Sequence, residues 1–285
     1  MPFINVGQEN STEIELYYED HGQGDPMVLI HGYPFSGLAW EKQVSYFLEK
    51  GFRVITYDRR GFGQSSKTAT GYDYDTFAKD LDAIMTELDL GDVTLVGHSM
   101  GTGEVTRYIS QYGSERVKCG VLISPIPPFL LNGVDKEVFR GFKAAIVKDR
   151  YEFITEFLNN FYNLGKLNFS VSDEKLRADF ILASSSSPIA FYKCVDTWTT
   201  DFRDDLTHID IPMLVIHGDK DKILPFDYTA KLLPDLIDAD LRVIKGGSHG
   251  IPWTHADEIS RMILEFISQE AGSISDFGED AAQIQ

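Results

Sequence analysis

Six short apolar runs, each bounded by turn residues, recur along this chain with helical segments between several of them. They are Met27–Ile30, Arg53–Tyr57, Val93–Val96, Val117–Ile123, Met213–Ile216 and Leu241–Ile244. An apolar run this short, with no polar alternation, reads as a strand covered on both faces, as in a parallel sheet. In Tyr74–Leu90 the residues Phe77, Leu81, Ile84, Met85 and Leu88 share one helical stripe. In Thr254–Gln269 the stripe is Ile259, Met262, Ile263, Phe266 and Ile267. Strand–helix alternation of this kind implies an α/β sheet with right-handed crossovers and helices on both faces. Two alternating stretches, Phe3–Val6 and Glu13–Glu19, precede it and suit an antiparallel edge, with Gly22, Gly24 and Pro26 as turn punctuation.

The alternation breaks once. From about residue 127 to 205 the chain reads as helices rich in Phe and Tyr, with Ser184–Ser187 and Pro188 as a loop. The expected organisation is a core of residues 1–126 and 206–271, with 127–205 inserted as a helical cap over the strand ends. The alternative is a small helical domain with no role at the site. Residues 272–285 are small and acidic without periodicity, which reads as a disordered tail.

Charge narrows the function classes. Across 285 residues, 26 Lys+Arg stand against 44 Asp+Glu, a net charge of −18. Such a chain repels phosphate backbones and anionic lipid, so nucleic-acid and membrane-surface roles are disfavoured. Cys119 and Cys194 lie far apart in sequence and make no metal-ligand spacing, so both read as reduced, buried thiols. No signal peptide and no membrane-spanning run are visible, which makes a soluble cytoplasmic protein the expectation.

The chemistry is concentrated in Gly97-His98-Ser99-Met100-Gly101, which follows the strand Val93–Val96 and precedes a helical pattern. This is G-x-S-x-G in the context that gives it meaning, a strand, a sharp turn and a helix. Glycine is needed at both flanks because bulkier residues would clash with the adjoining strand and helix. The turn exposes Ser99 at the carboxyl end of the sheet, above a helix N-terminus that favours a developing anion. A serine hydroxyl needs a base, and that base needs an orienting acid. His249, in the glycine-flanked loop Gly246–Gly250 after the last strand, is the candidate base. His98, His31 and His217 read as structural, the last as a packed strand-end residue. For the acid, the segment His217–Pro225 offers two carboxylates. Asp219 could bond to amides of its own turn, whereas Asp221, three positions past Gly218, is better placed to reach a loop histidine. Two amides would hold an oxyanion: that of Met100, and that of Tyr33 in His31-Gly32-Tyr33-Pro34, where Pro34 has no N–H to give.

These motifs, together with Asp58-Arg59-Arg60-Gly61-Phe62-Gly63-Gln64-Ser65, carry a resemblance that covers the chain from about Glu13 to Gln269. Taken jointly, the chain resembles the α/β-hydrolase superfamily, and within it the cofactor-free (non-heme) bacterial haloperoxidase and arylesterase family. The order Ser99, Asp221, His249 is that of the superfamily triad. The resemblance implies a mostly parallel eight-stranded sheet, a cap of about four helices, and a Ser–His–Asp triad without metal, haem or other cofactor. It also implies ester hydrolysis and, with hydrogen peroxide and a short carboxylic acid, peracid formation that leads to halide oxidation. Pro34 sets where the Tyr33 carbonyl points, and a carbonyl turned inward would favour peroxide over water. Pro34, Ile126, Phe129 and Leu224 are the expected pocket residues. The expected partner is a small ester or carboxylic acid, and homo-oligomerisation is left open. A carbon–carbon bond hydrolase, a lactonase or a hydrolase-fold small-molecule receptor remain as alternatives.

Overall fold

The computed structural model describes residues 2–165 and 171–280, with side chains described as far as residue 270. The elements follow in chain order. β1 (Phe3–Glu9), β2 (Thr12–His21) and β3 (Pro26–Ile30) lead to α1 (Glu41–Glu49), β4 (Arg53–Tyr57) and α2 (Tyr74–Glu87). Then come β5 (Val93–His98), α3 (Met100–Tyr112) and β6 (Val117–Ile123). Four helices follow without a strand: α4 (Lys136–Phe161), α5 (Asp173–Ser184), α6 (Pro188–Thr197) and α7 (Arg203–Leu206). The chain ends through β7 (Met213–Gly218), β8 (Ala239–Ile244), α8 (Ile251–Thr254) and α9 (Ala256–Asp280).

The eight strands form one sheet in the order β1-β2-β4-β3-β5-β6-β7-β8. β2 pairs antiparallel with both β1 and β4, and from β4 to β8 every pairing is parallel. β3 lies between β4 and β5, so the winding reverses beside it. At such a switch point the loops leaving the strand ends diverge and open a crevice. The loops after β3 and β5 are therefore the ones that flank it.

Strand residues alternate between two apolar layers, as the pleat requires. Met27, Leu29, Val96, Val121 and Ile216 pack with Phe47 of α1 and with Ile259, Ile263, Phe266 and Ile267 of α9. Val28, Ile30, Leu95, Leu122 and Val215 pack on the other face with Leu81, Ile84 and Met85 of α2 and Val105 and Ile109 of α3. A third, aromatic layer joins the helices between β6 and β7 to the carboxyl ends of the strands.

The helices of that insertion start where the sequence supplies caps. Ser172 Oγ accepts from the Lys175 N–H, and Ser187 Oγ accepts from Ile189 and Ala190 with Pro188 at the first helical position. α4 is kinked at Asp149 (φ −157°, ψ 98°), whose Oδ1 accepts from the Tyr151 and Glu152 N–H groups. The side chain thus caps the second half of the helix. α9 runs on to Asp280, into the stretch read as a disordered tail, and residues 281–285 lie outside the described residues. Among the described residues no helix is long and apolar enough to cross a membrane.

Candidate active site

Ser99 closes the turn between β5 and α3 with φ +53° and ψ −118°, outside the regions ordinary residues prefer. The flanking glycines make the turn feasible. A Cβ on Gly97 would lie 2.6 Å from the Gly101 carbonyl oxygen, and one on Gly101 would lie 2.3 Å from that of Ile30. Both are impossible contacts, so the glycine requirement is steric. Gly32, after β3, is also tightly placed: its Cβ would sit 2.9 Å from the Ser99 Cβ.

Three side chains from three loops meet there. Ser99 Oγ lies 2.8 Å from His249 Nε2, and His249 Nδ1 lies 2.6 Å from Asp221 Oδ2. The other carboxylate oxygen, Asp221 Oδ1, accepts from the Ile223 and Leu224 N–H groups at 2.8 and 2.9 Å. Burial alone would raise the Asp221 carboxyl. The charge and hydrogen bond of His249, the nearby His217 and the Leu224 amide outweigh it and hold the carboxyl below its ordinary value. An imidazole oriented this way can take the serine proton and return it to a leaving group. The N–H groups of Tyr33 and Met100 have no protein acceptor among the described residues. For Met100 this follows from its place in the first turn of α3, where amides lack intrahelical partners.

Asp219 does not serve its own turn, contrary to expectation. Its Oδ1 accepts from the Gly246 N–H at 2.6 Å and so joins the acid loop to the loop that carries His249. β7 and β8 are parallel neighbours, so their carboxyl-end loops lie side by side and the nearer unpaired amide belongs to the opposite loop. Of the expected pocket residues, Ile126 and Leu224 are buried in the aromatic layer with Tyr33 and Met100. Pro34 is buried in a four-residue turn in which the Phe35 N–H donates to the Gly32 carbonyl. Phe129 packs its ring 5.0 Å from the Arg203 guanidinium instead of joining that layer. The chain's extended entry into the short helical turn after Phe129 directs it there.

Several contributors have no local signature. His98 Nε2 donates to the His249 carbonyl at 3.1 Å, bracing that loop. Its imidazole is pushed down to about 3, first by burial and then by His249, so it stays neutral. His217 Nε2 lies 3.0 Å from the Leu224 carbonyl and 3.5 Å from Asp221 Oδ2. From the end of α4, the Phe161 carbonyl accepts from the Gly250 N–H, and Asn163 Nδ2 donates to the Lys220 carbonyl. One short stretch thereby touches both the base loop and the acid loop. Only a histidine at a strand end gave a hint of this, since partners dozens of residues apart leave no periodic trace.

A cavity of about 130 Å³ lies between α4 and the loop after β7, lined by Phe142, Phe153, Phe157, Trp198 and Ile223, with Lys222 among its polar neighbours. Phe157 and Trp198 pack edge-on against the Tyr33 ring, at 5.8 and 5.0 Å between centroids.

A family model described as the alpha/beta hydrolase fold matches residues 25–256. A Synechocystis sp. relative assigned as a non-heme chloroperoxidase is 53% identical, with 94% of this chain and 100% of that protein covered. The bifunctional esterase/perhydrolase of Acinetobacter calcoaceticus is 32% identical, with 89% and 96% covered. Among solved structures, the bromoperoxidase of Bacillus anthracis superposes with a TM-score of 0.90 at 43% identity, covering 93% of this chain and 99% of that one.

Proposed function

The chain belongs to the α/β-hydrolase family, in its non-heme haloperoxidase and esterase branch, and we propose that it is a serine esterase that also performs perhydrolysis. Ser99 Oγ attacks the acyl carbonyl while His249 Nε2 takes the hydroxyl proton and then gives it to the departing alcohol. Asp221 fixes the imidazole tautomer and stabilises the imidazolium. The Tyr33 and Met100 amides receive the oxyanion, and Ile126 and Leu224 form part of the apolar wall. Water attack on the acyl-enzyme releases the acid.

With a short carboxylic acid as the acyl donor, acylation releases water. Attack by hydrogen peroxide then yields the peracid and frees Ser99. The peracid oxidises halide to hypohalite and returns to the carboxylic acid, so no redox centre is needed for the balance. The residues between 127 and 205 act as the cap, and their aromatic rings favour an apolar acyl or alcohol group. The observation that supports this reading most is the unbroken line from Ser99 through His249 to Asp221, at 2.8 and 2.6 Å. The test is to measure ester hydrolysis and acetate-dependent peracid formation on one preparation, alongside fluorophosphonate labelling. All three should vanish together in Ser99→Ala. Labelling without multiple turnover in the parent protein would overturn the enzyme reading in favour of a receptor.

A further inference from the structure

The Gly32–Tyr33 peptide is held from behind by a buried line of groups that the proposed chemistry does not use. Glu104 of α3 accepts from Arg59 Nε at 2.7 Å and from the Tyr57 hydroxyl, and both its side chain and that of Arg59 are fully buried. Arg59 Nη2 donates to the His31 carbonyl at 2.9 Å, and the Arg59 backbone N–H donates to His31 Nε2 at 3.0 Å. A backbone N–H can only donate, so His31 Nε2 must be the accepting nitrogen. The ring proton therefore sits on Nδ1, which lies 2.8 Å from the Gly32 carbonyl and donates to it. The tautomer is forced by the partners. Burial first, and then the Arg59 charge, keep the His31 imidazole well below its ordinary pKa and hence neutral.

The carbonyl of Gly32 and the N–H of Tyr33 belong to one planar trans peptide and point in opposite directions. Fixing the carbonyl on His31 Nδ1, with the Phe35 N–H as a second donor at 3.1 Å, fixes the amide on the other side. Gly32 itself borders the nucleophile, since a Cβ on it would fall 2.9 Å from the Ser99 Cβ. We infer that His31 is a positioning residue: its Nδ1–H anchors the Gly32 carbonyl so that the Tyr33 N–H faces the oxyanion formed at Ser99. Arg59 and Glu104 act one step further back, by holding the His31 tautomer.

This rests on the reading of Ser99 as the nucleophile, and the test separates the two. Asparagine at residue 31 can bring an amide N–H near the place of Nδ1, whereas glutamine reaches the place of Nε2. His31→Gln keeps a partner for the Arg59 amide and loses the grip on Gly32. Removing one oxyanion donor outright lowers kcat by about 10²–10³-fold. A donor left in place but loosened should cost less, so His31→Gln is expected to lower kcat by about 10- to 100-fold with KM nearly unchanged. The affinity of an alkylboronic acid, whose tetrahedral adduct places an oxygen among the same donors, should fall by a similar factor. His31→Asn should stay within about threefold of the parent protein in both readouts, because its N–H still reaches Gly32.

Thermal unfolding of both variants checks that they are folded, and a merely structural role would move stability without splitting kcat from KM. Equal behaviour of the Asn and Gln variants overturns the inference, as does a fall in kcat with boronate affinity unchanged. If Ser99→Ala retained ester turnover, the failure would lie with the nucleophile and not with His31.

Discussion

Two buried carboxylates, Asp221 after β7 and Glu104 on α3, are held by different partners. Asp221 is paired with the imidazole of His249 and takes two backbone amides on its second oxygen. Glu104 is paired with the guanidinium of Arg59 and the phenol of Tyr57. The first carboxyl is held below its ordinary value. The second is raised by burial, which Arg59 and Tyr57 offset only in part. An imidazole exchanges its proton near neutral pH and a guanidinium does not. In the proposed chemistry the same kind of buried pair therefore serves proton transfer at Asp221 and holds a loop still at Glu104.

The largest effects should fall on the side of the proposed proton transfer. Ser99→Ala and His249→Ala are each expected to lower kcat for ester hydrolysis by about 10⁴–10⁶-fold while the fold persists. The double variant should be little worse than either one, because the residues act as a unit. Circular dichroism with single-turnover kinetics checks both points, and additive losses would separate Ser99 from His249.

Next in size is the contrast between the carboxylates themselves. Asp221→Asn should lower kcat by about 10⁴-fold with unfolding midpoints nearly unchanged, since the imidazole loses its orienting acceptor and the volume is kept. Glu104→Ala should weigh the other way, costing stability first and lowering kcat far less, through the loosened hold on His31. It leaves Arg59 as an uncompensated buried charge, which typically costs about 3–5 kcal/mol of stability. Urea unfolding beside kcat for the two variants sharpens the comparison. A Glu104→Ala protein of parental stability would break it.

Legibility in the sequence divides along similar lines. The parallel strands could be read because burial on both faces leaves uninterrupted apolar runs, and β4 and β6 keep the expected bounds. Ser99 could be read because its steric demand falls on Gly97 and Gly101, neighbours in the chain. That Asp221 and His249 would meet Ser99 followed from loop position at strand ends. Arg59 with Glu104, Asp219 with Gly246 and Asn163 with Lys220 could not be read, since their pairing is set by sheet order and not by spacing. The kink at Asp149 escaped for another reason. A single aspartate amid good helix formers gives no warning that it will cap a new helix.

Acid should weaken both sides, though unequally. His31, His98 and His217 are all buried with lowered pKa values, chiefly through burial, and His98 reaches about 3. Once unfolded, each takes a proton near the ordinary value of 6.5. Between that pH and the folded value the unfolded chain binds more protons, so stability rises with pH. The contribution is complete above about pH 6.5 and is lost as the pH falls toward the folded values. Asp221, also depressed, adds a loss at still lower pH, below the ordinary carboxylate range. Urea midpoints taken from about pH 7 down to about pH 5 should fall, and His98→Asn should flatten that slope. An unchanged slope in the variant would mean that His98 is protonated in the fold.

The smallest expected effect belongs to Asp219, and it tests the acid assignment from the other direction. Its carboxylate is part-exposed and makes one short bond, to the Gly246 N–H, with Lys220 Nζ at 3.8 Å. Asn at this position keeps an oxygen that can accept from Gly246, so only the charge is lost. A single charge-assisted hydrogen bond weakened in this way is worth about 1 kcal/mol or less near a solvated surface. Asp219→Asn should therefore shift the unfolding midpoint slightly and leave kcat within a few-fold of the parent protein. Asp219→Ala removes the acceptor, loosens the His249 loop relative to the acid loop, and should lower kcat somewhat more than the Asn change does. If Asp219→Asn instead cost as much activity as Asp221→Asn, the orienting acid would be Asp219, and the contrast between Asp221 and Glu104 would lose its first member.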